Sequence, residues 1–92
     1  MLTFETTAKF RRDIKRVEKR GLDLSLMDAI VQTLLEEEPL DPKYNDHALI
    51  GNYKGFRECH IGPDWLLIYE VNKARLILTA IRTGSHSDLL RK

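Results

Sequence analysis

The 92-residue chain predicts one α+β domain over residues 1–92, of element order β-α-α-β-β-β. In this reading a small antiparallel sheet packs against two N-terminal helices, and the chain closes on a short C-terminal helix or tail. Three observations predict it. Apolar residues recur at helical spacing through the first half. The second half switches to strand alternation and to one nearly all-apolar run. Turn residues then divide that half into three strands.

Residues 2–5 alternate apolar and polar and read as a short strand. Thr6 or Thr7 can cap the helix that follows. There Phe10, Ile14 and Val17 recur at i, i+4, i+7 as one apolar stripe, with Lys9, Arg11, Arg12, Lys15, Arg16, Lys19 and Arg20 off it. Gly21 is a natural stop. Asp23 or Ser25 can cap a second helix, whose stripe is Met27, Ile30, Val31, Leu34 and Leu35. It must end before Pro39, because the residue preceding a proline disfavours helix. Residues 39–46 hold two prolines and no periodicity, so they read as a loop, and His47 follows where that loop enters the sheet.

Residues 56–61 alternate, placing Phe56, Glu58 and His60 on one face and Arg57, Cys59 and Ile61 on the other. Gly62-Pro63-Asp64 is a turn signal. Residues 65–71 are nearly all apolar, as in a central strand covered on both faces. Asn72-Lys73 reads as a tight hairpin turn, residues 75–82 as the next strand, and Thr83-Gly84-Ser85 as its break. Residues 86–90 form the short helix or extended tail.

Composition narrows the class. A hydrophobic share of 42% and a charged share of 32% are those of a globular domain, not of a disordered chain or coiled coil. No apolar run approaches the roughly 18 residues of a membrane span, and the N-terminus does not read as a secretory signal. The single cysteine, Cys59, rules out a disulfide within the chain and reads as a buried structural thiol. A reducing cytoplasm is the expected compartment. The net charge of +1 hides segregation: residues 1–22 carry seven basic and three acidic side chains, residues 23–46 one and seven, residues 47–92 seven and four. Such segregation permits a polyanionic partner without raising the overall pI.

The side chains able to carry chemistry are His47, His60 and His86, together with Asp64. They sit on segments that a sheet can bring to one end. Histidines beside a carboxylate suit general acid–base work on a phosphodiester. The same four groups could in principle hold zinc, but no His-x-x-x-His or Cys-x-x-Cys pair preorganises a site, so no metal and no cofactor is expected. The basic helix either lines a phosphate backbone or is a solvated face. Lys54, Arg57 and Arg82 lie nearer the histidines, and Arg82 is the stronger phosphoryl ligand because a guanidinium reaches two oxygens at once. Aromatics near a basic cleft can stack bases; Tyr69 reads as core, whereas Trp65, at a strand start beside a turn, fits either role.

A pattern emerges from Asp46-His47, Leu49, Gly51, Lys54-Gly55-Phe56-Arg57, His60, Pro63-Asp64-Trp65, Leu67-Ile68-Tyr69 and Arg82-Thr83-Gly84-Ser85-His86. It resembles the YafQ-like branch of the RelE/ParE toxin superfamily, bacterial toxins of type II toxin–antitoxin systems. The resemblance implies a ribosome-dependent endoribonuclease that cuts mRNA, with a cognate antitoxin as inhibitory and operator-binding partner. The family's substrate-holding and proton-moving positions fall on His47, His60, Asp64, Trp65 and His86, with His86 as general acid and His47, His60 and Asp64 sharing base and orienting roles. Leu90 stands where the family has an aromatic. Lys9, Arg12, Lys15, Arg16 and Lys19 would then grip ribosomal RNA. Two other readings remain open at this point: a superfamily member that acts by binding a protein target such as gyrase, and a plain nucleic-acid-binding module.

Overall fold

The computed structural model describes residues 1–89, so Leu90 lies outside the described residues. The elements are β1 (Thr3–Thr6), α1 (Ala8–Lys19), α2 (Leu24–Leu35), β2 (His47–Ala48), β3 (Arg57–Gly62), β4 (Trp65–Asn72), β5 (Ile77–Gly84) and α3 (His86–Leu89). Single 3-10 turns at Pro42–Tyr44 and Gly51–Tyr53 flank β2.

Both long helices begin where the capping residues predict. The Thr7 hydroxyl accepts from the Phe10 amide at 3.0 Å and donates to the Ile81 carbonyl at 2.7 Å, so one side chain starts α1 and fastens it to β5. Gly21, at φ +79°, takes the left-handed conformation that ends α1. The Leu22 amide reaches the Val17 carbonyl and the Gly21 amide that of Glu18, which closes the turn. The Asp23 carboxylate accepts from the Ser25 hydroxyl and amide at the start of α2, and these bonds hold it below the usual carboxylate range.

The sheet has five strands in the order β1-β5-β4-β3-β2. Its β3-β4-β5 meander is antiparallel as expected, but β1 pairs parallel to β5, so the sheet is mixed. Hydrophobic periodicity reports which face of a strand is buried and says nothing of its direction. Direction here follows from α1, whose first turn is tied to β5 immediately after β1 ends. A second difference is the two-residue strand β2, which places His47 in the ladder opposite Glu58 instead of in a loop. It is too short to leave an alternation signal. The β4–β5 connection spans residues 73–76 rather than a two-residue turn, because Asn72 pairs with Ile77. The Asn72 side chain accepts from the Arg75 amide there, an Asx-type turn.

β4 is the centre of the sheet. Leu66, Leu67 and Ile68 are all at most 1% exposed, although consecutive strand residues face opposite sides, so both faces must be covered. Trp65, Leu67 and Tyr69 pack with Phe10, Val17, Met27, Ile30 and Val31 of the helices. Leu66 and Ile68 pack on the other face with Leu89, Leu49, Tyr53, Phe56 and Ile81. Each such side chain contributes about 1.5–3 kcal/mol relative to leaving it in water.

Cys59 belongs to the helix-side core and is fully buried. Burial pushes its thiol up to about 12, with the charges of Asp46 and Glu58 adding to the shift. It is therefore a thiol at neutral pH. A disulfide reagent at pH 7.5 is expected to leave the native protein unlabelled, and to label one thiol per chain once urea has unfolded it. Rapid labelling of the native state would show that the helix layer opens readily over β3.

Candidate active site

Residues paired across strands share a face. His47 lies opposite Glu58, Glu58 opposite Ile68, and Ile68 opposite Arg82. One step along, His60 lies opposite Leu66 and Leu66 opposite Gly84. His47, Glu58 and His60 thus emerge together on the face away from the long helices. A register irregularity follows His60, and the β3–β4 turn puts Asp64 at φ +126°. An L-residue rarely adopts that backbone, and local strain of this kind collects at sites of function.

The turn aims Asp64 at α3. Oδ1 of Asp64 accepts from the His86 backbone amide at 2.9 Å and lies 2.7 Å from His86 Nδ1. These contacts, the backbone bond first, hold the Asp64 carboxyl below its ordinary range. An ionised carboxylate only accepts, so Nδ1 of His86 carries a proton and Nε2 is the nitrogen left for proton exchange. The ring centroids of His60 and His86 are 5.8 Å apart, and those of His47 and His60 6.3 Å apart. The three histidines form a continuous row across this end of the sheet.

Glu58 joins them from below. It is 3% exposed, and its Oε1 lies 3.3 Å from Nε2 of His47 and 3.5 Å from Nε2 of His60. Its Oε2 is buried with no hydrogen-bond partner among the described residues. Nδ1 of His47 is 2.7 Å from the Asn45 carbonyl, which can only accept. That nitrogen therefore holds a proton, and Nε2 is the one turned to Glu58. Next to His47, Asp46 accepts from the Tyr69 hydroxyl at 2.6 Å and from Arg57 at 3.3 Å, which anchors β2 to the sheet.

The structure gathers His47, His60, Asp64 and His86 into one site, and divides them. Asp64 serves His86, whereas Glu58 serves His47 and His60. The sequence reading passed over Glu58, although its alternation with His60 put it on the histidine face. Trp65 is not at the site. It is 4% exposed, it faces the helices with Leu67 and Tyr69, and its indole donates to the Thr83 hydroxyl at 2.9 Å. A stacking role is closed to a ring held in the core. Arg57 is also on the wrong face, because it alternates with Glu58 and turns to Asp46 and Tyr69. Arg82 shares the histidine face, two strand spacings or roughly 10 Å from Glu58. Its guanidinium is held by Asp13 of α1 at 2.7 and 3.0 Å. Lys54 is exposed on the loop that leads to β3. On α1, Lys9, Arg12, Lys15, Arg16 and Lys19 are all exposed, and Arg16 also lies 3.5 Å from Asp13 and 3.6 Å from Asp88.

A five-stranded sheet with its two long helices on one face and a histidine–carboxylate row on the other defines a small α+β protein with its titratable groups gathered at one end of the sheet. Residues 2–91 match the family model described as bacterial toxin of type II toxin-antitoxin system, YafQ. The mRNA interferase toxin YafQ of Escherichia coli K12 is 35% identical over 86 residues, covering 92% of this chain and 91% of that one. A metal-bound toxin from Helicobacter pylori superposes with a TM-score of 0.91 at 50% identity, covering 97% of this chain and 99% of the other. YafQ in the E. coli DinJ-YafQ complex gives 0.87 at 33% identity, covering 97% and 98%. The chain belongs to the YafQ family of bacterial toxins from type II toxin–antitoxin systems. The curated E. coli member is named an mRNA interferase, which is an endoribonuclease. The Helicobacter toxin is described as metal-bound. Here, among the described residues, no group of three or more His, Cys, Asp or Glu side chains is disposed to hold a metal ion.

Proposed function

We propose that this chain is a ribosome-dependent endoribonuclease that cleaves mRNA by general acid–base catalysis in the bacterial cytoplasm. It would be held in check by a cognate antitoxin, as YafQ is found with DinJ in E. coli. The observation that carries the reading is the division of the site: one histidine oriented by Asp64, two others oriented by Glu58.

RNA supplies its own nucleophile. The 2′-hydroxyl is already beside the phosphorus, so the protein has only to move protons and stabilise charge. The His47–Glu58–His60 group takes the 2′ proton as the 2′ oxygen bonds to phosphorus. The imidazolium of His86 gives the proton on Nε2 to the 5′ oxygen as the P–O5′ bond breaks. Solvent then returns one proton to His86 and removes one from the base. The products are a 2′,3′-cyclic phosphate, or its hydrolysis product, and a 5′-hydroxyl. Arg82, which Asp13 orients, and Lys54 would be the cations that offset charge on the phosphorane-like transition state. Exposed Lys9, Arg12, Lys15 and Lys19 offer a face of α1 to ribosomal RNA.

Primer extension on an mRNA translated in a purified system tests the proposal. Wild-type protein is expected to produce cuts only when ribosomes are present, and the downstream fragments should accept label from polynucleotide kinase without prior phosphatase. Intact mRNA in the presence of folded wild-type protein would remove the nuclease reading. Growth arrest that persists in His60→Ala and His86→Ala would point to a protein target instead.

A further inference from the structure

α3 has four residues, too few to hold itself in water. Yet its first residue carries the ring on which the proposed chemistry depends. The visible restraint on that ring is the contact with Asp64, and both side chains are more than half exposed. A polar contact so open to solvent is a weak fixture on its own.

A second restraint lies behind the ring. The Ser85 hydroxyl accepts from the Asp88 amide at 3.1 Å, and the Asp88 carboxylate accepts from the Ser85 amide at 2.9 Å. This is a reciprocal capping box around His86. The same carboxylate takes a two-pronged contact from Arg20 just past the end of α1, at 2.6 and 3.1 Å. Arg16 adds a third cationic contact at 3.6 Å. Arg20 first, and Ser85 after it, hold the Asp88 carboxyl far below the ordinary range. The pair therefore stays ionised at any pH above that range. Gly84 completes the seat. At φ +154° it lies so close that an added Cβ would meet Asp88 Oδ2 at 2.8 Å and Asp88 Cβ at 3.0 Å. Leu89, 6% exposed, pins the far end into the outer-face cluster.

We propose that Arg20 and Asp88 are positioning residues for His86: their bidentate pair fastens the 84–89 turn to α1 and thereby sets where Nε2 points. The reaction itself rests on the nuclease reading above, whereas the seating of the ring does not. Arg20 caps the basic helix, yet its work here is directed at α3 and not at RNA. A misplacement of about 1 Å at a proton donor can cost on the order of a hundredfold in rate.

The test uses the full chain as Arg20→Ala, Asp88→Asn and Arg20→Lys, with Lys19→Ala as a neighbouring loss of charge. The first readout needs no substrate: nitrogen-15 shifts of the His86 ring in the free protein. The wild type is expected to show the tautomer protonated on Nδ1. Arg20→Ala and Asp88→Asn should move the shifts toward a tautomer average, and Arg20→Ala should do so with little change in Tm because Arg20 is exposed. The second readout is ribosome-dependent cleavage. Those two variants should lose about ten- to a hundredfold in kcat at nearly constant KM, with Arg20→Lys recovering part of it. Lys19→Ala should act on KM instead. Ring shifts that stay at wild-type values in both variants overturn the proposal, as does an unchanged kcat when the shifts move. If the wild type cuts nothing, the nuclease reading fails, and moved shifts would still establish Arg20 and Asp88 as the seat of the ring.

Discussion

His86→Ala is expected to slow ribosome-dependent cleavage by about 10²–10⁴-fold, the range for a lost general acid or base. The loss should fall on kcat, since the ring is asked to give a proton to the leaving oxygen and not to hold the RNA. The fold should survive: the His86 side chain is more than half exposed, and Leu89 still anchors the turn. His86→Gln is the sharper variant, because an amide can keep a bond to Asp64 but cannot deliver a proton. Single-turnover rates for wild type, His86→Ala and His86→Gln decide the matter. If His86→Gln keeps wild-type turnover, the proton comes from elsewhere and the assignment of acid is wrong.

Asp13→Ala is expected to lower stability by about 3–5 kcal/mol, the scale for removing one partner of a buried ion pair. Asp13 is 2% exposed on α1 and accepts from Arg82 twice and from the Thr83 amide. Removing it leaves a guanidinium and a buried amide unpaired, both at the point where β5 turns toward the site. Asp13→Asn keeps an acceptor for the Thr83 amide and should cost less. Urea unfolding followed by the fluorescence of Trp65, whose indole is bonded to Thr83, reports the same region. A loss under about 1 kcal/mol for Asp13→Ala would mean that water replaces the carboxylate and that the Arg82 tie is not structural.

These two residues also mark how far a sequence can be read. His86, His60 and His47 announce themselves because histidine is uncommon here and the apolar pattern around them places them on strands and turns. The two helix caps, the glycine stop and the doubly buried central strand were legible for the same reason: each is a local rule. Glu58 was half legible, since alternation puts it on the histidine face, but nothing local says that it faces inward between two rings. Trp65 shows the opposite failure. Its place beside a turn leaves its direction open, and the strand register that turns it toward the helices is a property of the whole sheet. Asp13, Arg20 and Asp88 were not legible as partners, because their pairings join residues 68 to 69 positions apart. The direction of β1 belongs to the same class: it is decided by a strand at the other end of the chain.

That pairing of β1 with β5 has a consequence for the order in which the fold can close. Thr3 meets Ile77, and the Thr7 hydroxyl bonds Ile81, 74 residues later. Residues 3–6 have no neighbour in the sheet until residues 77–80 are in place beside them. Contacts of such long reach are formed slowly, because chain must be closed into a large loop before anything rewards it. The histidine row is assembled on the late side of that closure, as β5 leads straight into α3. Until residues 77–81 reach residues 3–7, the strand that leads to His86 has no outer neighbour in the sheet.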